Sequence, residues 1–273
     1  MTKIITIIYL MALLFWVYIT VLTGHSDHPY GLYLQILLFL IPFVGSIVGL
    51  INARRWGGFK SAVGRAIVFL SLGTLTWSMG MLAWNYFIFI AQVEVPYPSW
   101  ADAAFILSWP LWALGVISLS KATGVKFALR EAKGKVLLVI VPILAIIASY
   151  YMLIWVARGG VIELDGSNGL KLFFDLFYPI GTAVILAMAL TFFSLSMDFL
   201  GGRYKVPITI LILAFVVNYL SDFTFSLTTT SGSYFNGHFV DFLFLTAMYL
   251  LALSLSMMSP VVKKDKENYQ LKS

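Results

Sequence analysis

Eight stretches of about 20 mainly apolar residues follow one another along the chain, separated by short runs rich in charged residues, Gly or Pro. They span 4–22, 32–51, 67–91, 103–120, 136–157, 170–195, 206–227 and 239–258. About 20 residues of α-helix, rising about 1.5 Å each, cross a hydrocarbon core about 30 Å thick. The pattern therefore predicts an all-α, polytopic membrane protein of eight transmembrane helices. The first stretch is longer than the apolar core of a secretory signal, and Thr23-Gly24-His25 lacks a small-residue cleavage pattern, so it reads as a retained helix. Residues 1–258 then form a single transmembrane domain, and residues 259–273 a short basic cytoplasmic tail.

Composition agrees: 60% of residues are hydrophobic and 11% charged, against about 25% charged in soluble domains. The positive charges fix an orientation. Of the 18 Lys and Arg residues, all but Arg158 and Lys171 fall before the first stretch, in the connections after the second, fourth and sixth, or beyond the eighth. Both termini are thus expected in the cytoplasm. The net charge of +6 is accounted for by topology and anionic lipid headgroups, so the lipid bilayer is the implied partner and nucleic acid is not. The chain has no cysteine and hence no disulfide or thiol chemistry.

Against this apolar background the acids stand out. Asp102, Asp175, Asp222 and Asp241 all fall toward the outer ends of their stretches. A carboxylate in hydrocarbon is costly unless it is paired, protonated or bound to a cation, so such acids are candidates for function. Asp175 and Asp222 are expected about 7 Å inside the outer boundary, at about 1.5 Å per residue. Asn85 and Asn218 join the same layer, and Tyr178 lies beside Asp175 in sequence. Pro179 leaves the carbonyl of Asp175 without its helical donor, and Pro110 does the same for Ile106. The candidate ligand-binding set is Asp175, Asp222, Asp241, Asp102, Asn85, Asn218 and Tyr178, facing outward and suited to an ion, a proton or a small molecule.

Plainer roles compete. Ser99 with Asp102 fits a helix cap, and Asp241 fits a dipole partner or a local pair with His238. Asn85 and Asn218 fit helix-to-helix hydrogen bonds, and Gly45, Gly49, Gly73 and Gly80 fit close helix contacts. Trp84, Tyr86, Phe87, Tyr97, Trp100, Trp109 and Tyr178 fit an interfacial aromatic belt. His25, His28 and His238, with Asp27 and Asp241, form only a weak metal pattern, so no metal and no cofactor is assigned.

Spans three to eight read as three related hairpins. Asp102-Ala-Ala-Phe105 aligns with Asp241-Phe-Leu-Phe244, and Trp84-Asn85-Tyr86 with Val217-Asn218-Tyr219; Phe174 to Pro179 resembles Phe105 to Pro110. All copies share one orientation, unlike the inverted repeats common in secondary transporters.

Pro96-Tyr97-Pro98-Ser99-Trp100-Ala101-Asp102, followed by Trp109-Pro110-Leu111, resembles the P-x-P-S-x-A-D…[YW]-P-L stretch of a multispanning membrane sensor region in bacterial and archaeal signalling proteins. Asp175-Leu-Phe-Tyr178-Pro179 is similar to its D-x-x-Y-P element, and Asp222 through Tyr234, Gly237 and Asp241 to its D…Y-x-x-G…D element. The resemblance spans roughly residues 70–255. It implies a sensory module of the kind found N-terminal to histidine kinase, PAS or diguanylate cyclase domains. No such output domain follows here, and the 15 residues after Met258 are too few to fold as one. The expectation is a stand-alone, receptor-like sensory module that signals through a separate cytoplasmic or membrane partner.

A small-solute or ion transporter is the alternative, although no charge continues a path through the inner halves of the spans. Zinc-peptidase, nucleophile-elbow and phosphate-loop motifs are absent, and no Lys lies deep enough in a span for a retinal Schiff base. The sequence accordingly points away from an enzyme. A structural or assembly subunit would show stable copurification and no ligand response.

Overall fold

The computed structural model describes residues 1–24, 26–122, 132–156, 158–161, 169–196 and 204–260, with the backbone alone at some positions between 132 and 196. Every regular element among them is helical. In chain order the long helices are α1 (Thr2–Thr23), α2 (Tyr30–Arg55), α3 (Ala62–Asn85), α4 (Trp100–Ala122), α5 (Ala132–Tyr151), α6 (Gly169–Ser196), α7 (Lys205–Thr230) and α8 (Phe239–Met257). Each lies on one of the expected apolar stretches. Seven are long and apolar enough to cross a membrane; in α5 the described apolar run covers only Val139–Ala148. The third stretch is not one regular helix, because α3 passes into a π-helical turn at Tyr86–Ala91.

Helix ends follow local chemistry. Ser61 opens α3 by accepting a hydrogen bond from the Gly64 N–H at 2.8 Å, and His238 opens α8 by accepting one from the Val240 N–H. The first turn of α4 is capped by Ser99, whose Oγ accepts from the Ala101 N–H at 3.3 Å.

Six helices close into a ring. α2 packs on α3, α3 on α4, α4 on α6, α6 on α7, α7 on α8, and α8 returns to α2. Outside it, α1 lies against α2 and α8, and α5 against α6. Small residues let the ring close: a side chain at Gly45 would strike Ala252, one at Gly49 Ser71, one at Gly73 Trp112 and one at Gly80 Phe105. Without an attraction between apolar surfaces in lipid, such close approach and interhelical hydrogen bonds supply the association. At one end of the ring, Trp56 Nε1 donates to the Met258 carbonyl at 3.0 Å, and the Thr2 and Ser256 hydroxyls meet at 3.0 Å. Arg54, Arg55 and Lys60 gather at that end. The connections 86–99 and 231–238 lie at the opposite end.

Candidate functional site

Toward the end away from the basic cluster, the ring surrounds a cavity of about 60 Å³. All six ring helices reach it. α2 contributes Gln35 and Leu38; α3 contributes Trp77, Met81 and Trp84; α4 contributes Asp102, Phe105 and Trp109; α6 contributes Tyr178; α7 contributes Asn218, Asp222 and Phe225; and α8 contributes Asp241 and Phe244. Tyr97 and Tyr234 complete the wall from the connecting segments. Trp84, Tyr97, Phe225 and Tyr234 also border a wider recess of about 680 Å³, further toward the loops, whose rim carries Asp27, Glu94 and Lys171.

The three carboxylates have different surroundings. Asp102 reaches back to the Ser99 N–H at 2.6 Å and Ser99 Oγ at 3.3 Å, while its other oxygen accepts from the Tyr178 hydroxyl at 2.6 Å. Its capping role is therefore real, and it also ties α4 to α6. Asp241 accepts from the Gly237 N–H at 2.7 Å, Gln35 Nε2 at 2.6 Å and the Tyr234 hydroxyl at 2.9 Å. That triple bond set depends on a close backbone crossing. Gly237, at φ 94, lies against Gly31, and a side chain on either would strike the other segment. Gln35, one turn further along α2 from this contact, reaches Asp241. Burial, the Asp241 charge and the hydrogen bond to it push the Tyr234 phenol well above its ordinary range.

Asp222 differs from both. It sits eight residues before the end of α7, roughly 12 Å at about 1.5 Å per residue, because the helix continues past the expected boundary to Thr230. Its Oδ2 accepts a short hydrogen bond from the Thr182 hydroxyl and one from Asn218 Nδ2 at 3.2 Å. Among the described residues no donor reaches its Oδ1. Asn218 is 2% exposed, and its own Oδ1 also has no hydrogen-bond partner. Two acceptors one helical turn apart are thus left over in a buried wall.

No family model, curated protein or solved structure matches the chain.

Of the expected site residues, Asp102, Asp222, Asp241, Asn218 and Tyr178 line the one cavity. Asn85 is not among the lining residues. Its Nδ2 donates to the carbonyls of Gln35 at 3.0 Å and Met81 at 2.8 Å, which clamps α3 to α2. Asp175 falls in α6, and its side chain lies outside the described ones. The belt assignment is corrected for four aromatics: Trp84, Tyr97, Trp109 and Tyr178 face the cavity, while Tyr86 at 47% and Trp100 at 59% exposure remain on the periphery. His28 Nδ1 accepts from the Tyr30 N–H at 3.2 Å, and no group of metal-ligating side chains occurs among the described residues. His25 lies outside them.

Gln35, Thr182 and Tyr234 are additions that the apolar pattern did not single out. Gln35 carried a usable signal, an amide in the first third of an apolar stretch. Thr182 carried none, since threonine in a helix ordinarily bonds to its own backbone, as Thr191 does to the Ala187 carbonyl here.

Proposed function

We propose that this protein is a receptor-like sensory module of the membrane, with eight spans, both termini in the cytoplasm and the acidic cavity open to the outside. The observation that supports this reading most directly is that three carboxylates from three different helices line one aromatic-walled space. Through those acids and their donors α6 is bound to α4 and to α7, and separately α2 to α8, so an occupant that alters these bonds alters the helix seams. A switch needs only two packings that the ligand binds unequally. The motif likeness to membrane sensor regions is the reason to read the output as signalling, passed to a partner at the basic end. The related hairpins would then present equivalent acids to the same space.

A blind-ended cavity suits binding better than conduction. One turn deeper than Trp109, Asn218 and Phe244, the ring is filled by Trp112, Phe215 and Met248, each less than 2% exposed. Trp112 and Phe215 meet edge to face at 5.8 Å, and Trp112 Nε1 donates to Thr74 at 3.3 Å.

The absence of native cysteine allows a direct test. A single cysteine at the cavity residue Met81, introduced as Met81→Cys, should react with a membrane-impermeant cationic thiosulfonate from the outer face of oriented vesicles and not from the inner face. Reaction from both faces would favour the transporter, and reaction from neither, both here and at Trp84→Cys on the border with the wider recess, would leave the receptor reading without an accessible site. Lys60→Cys should show the opposite sidedness to Glu94→Cys.

A further inference from the structure

We infer that the cavity takes a small alkylammonium ion bearing at least one N–H, held by Asp222 Oδ1 and Asn218 Oδ1 with its alkyl part against the aromatic walls. This rests on the receptor reading above and adds the class of ligand.

Charge is the first reason. Three carboxylates line the space, and among the described lining residues there is no Lys, Arg or His. The wall offers an anion no positively charged side chain to offset these acids. Hydrogen-bond direction is the second. The amides of Gln35 and Asn218 and the hydroxyls of Tyr178, Thr182 and Tyr234 already donate to the carboxylates. At Asp222 and Asn218 what they leave over are acceptors, which call for a donor, while the indole N–H groups of Trp77 and Trp109 lie elsewhere on the wall. The buried, unpartnered Asn218 Oδ1 adds to this demand because, unlike the equally unpartnered Asn85 Oδ1, it belongs to a residue of the cavity wall beside Asp222, and an unsatisfied buried polar atom is otherwise a standing cost.

The walls then separate an organic cation from an inorganic one. Hard metal ions require about six oxygen ligands in a tight shell, and no metal-holding cluster occurs among the described residues. Indole and phenyl faces instead attract ammonium groups through the ring quadrupole and accept alkyl groups as well. Size sets the scale. At roughly 10–15 Å³ for each water-sized occupant, a cavity of about 60 Å³ accommodates roughly four to six non-hydrogen atoms.

The test uses the full chain purified in detergent, with binding followed by calorimetry and by fluorescence of the cavity tryptophans. The probes are n-butylammonium, its uncharged isostere n-butanol, tetramethylammonium and potassium. Saturable n-butylammonium binding is expected, at least tenfold tighter than n-butanol or potassium and tighter than tetramethylammonium, which has no N–H. Asp222→Asn should weaken it at least tenfold. Equal binding of n-butanol would make the site one for neutral ligands, and equal binding of potassium one for inorganic cations; either result overturns the inference, as does binding of no probe. These comparisons hold in the unaltered protein, so they stand even if Asp222→Asn fails to fold. Outer-face reactivity of Met81→Cys with no ammonium preference would sink the ligand class while leaving the receptor reading in place.

Discussion

In the hairpin of α3 and α4 and the hairpin of α7 and α8, acids and amides at comparable positions are bonded differently. Each descending helix carries an Asp in its first turn, Asp102 or Asp241, bonded backward to a main-chain N–H and sideways to a tyrosine hydroxyl. Each preceding helix carries an Asn in its C-terminal half. Asn85 spends its amide on two carbonyls and binds helix to helix. Asn218 turns instead to Asp222, an acid one turn further on that has no counterpart in the first hairpin, where Phe89 follows Asn85 at the same spacing. The difference separates two uses of a buried acid. Where chain-end donors satisfy both oxygens, the carboxylate is part of the frame; where a mid-helix position leaves one oxygen bare, it is available to a ligand.

The comparison can be broken at several points. The largest effect is expected for Asp241→Ala, which strands the Gly237 N–H, the Gln35 amide and the Tyr234 hydroxyl. It should cost about 3–5 kcal/mol of stability, read from thermal unfolding in detergent, with Asp102→Ala somewhat less at about 2–3 kcal/mol. If Asp222→Asn proved as destabilising as these, the division between frame and ligand acids would fall. Gly80→Ala should come next, at about 1–3 kcal/mol, because the new methyl meets the Phe105 ring. Since Phe105 also lines the cavity, that variant should bind n-butylammonium more weakly than the unaltered protein.

Alkaline pH sharpens the second hairpin. The Tyr234 phenol is held well above its ordinary value of 10.0, so between that value and its raised one the folded chain keeps a proton that the unfolded chain has released. Its contribution is complete below about pH 10 and declines above it, by up to about 1.4 kcal/mol per pH unit. Tyr234→Phe should remove that part of the alkaline decline, visible as a shallower fall of unfolding temperature above pH 10. The smallest effect is expected at the first hairpin's asparagine. Asn85→Leu should cost about 0.6 kcal/mol and leave n-butylammonium affinity unchanged; a loss of affinity would bring Asn85 back into the site.

The placement of the seven long apolar helices was legible because a bilayer imposes one rule on every span: enough apolar residues, in a row, to satisfy the backbone internally. Polar exceptions were legible for the same reason, since Asp102, Asp222, Asp241 and Asn218 stand out against segments that tolerate few such groups. Facing was not. In water, one polar stripe tells a helix which side to bury, whereas lipid leaves both sides apolar, so the pattern around Trp109 or Tyr178 reads equally well as a membrane-facing belt or a cavity wall. Closing six helices into a ring decided that Trp84, Tyr97, Trp109 and Tyr178 turn inward, that Gln35 reaches Asp241 across the Gly31 and Gly237 crossing, and that Asn85 stays outside the cavity while Asn218 enters its wall. Those are relations between segments far apart in the chain. They arise from which surfaces meet, and no single segment carries that information.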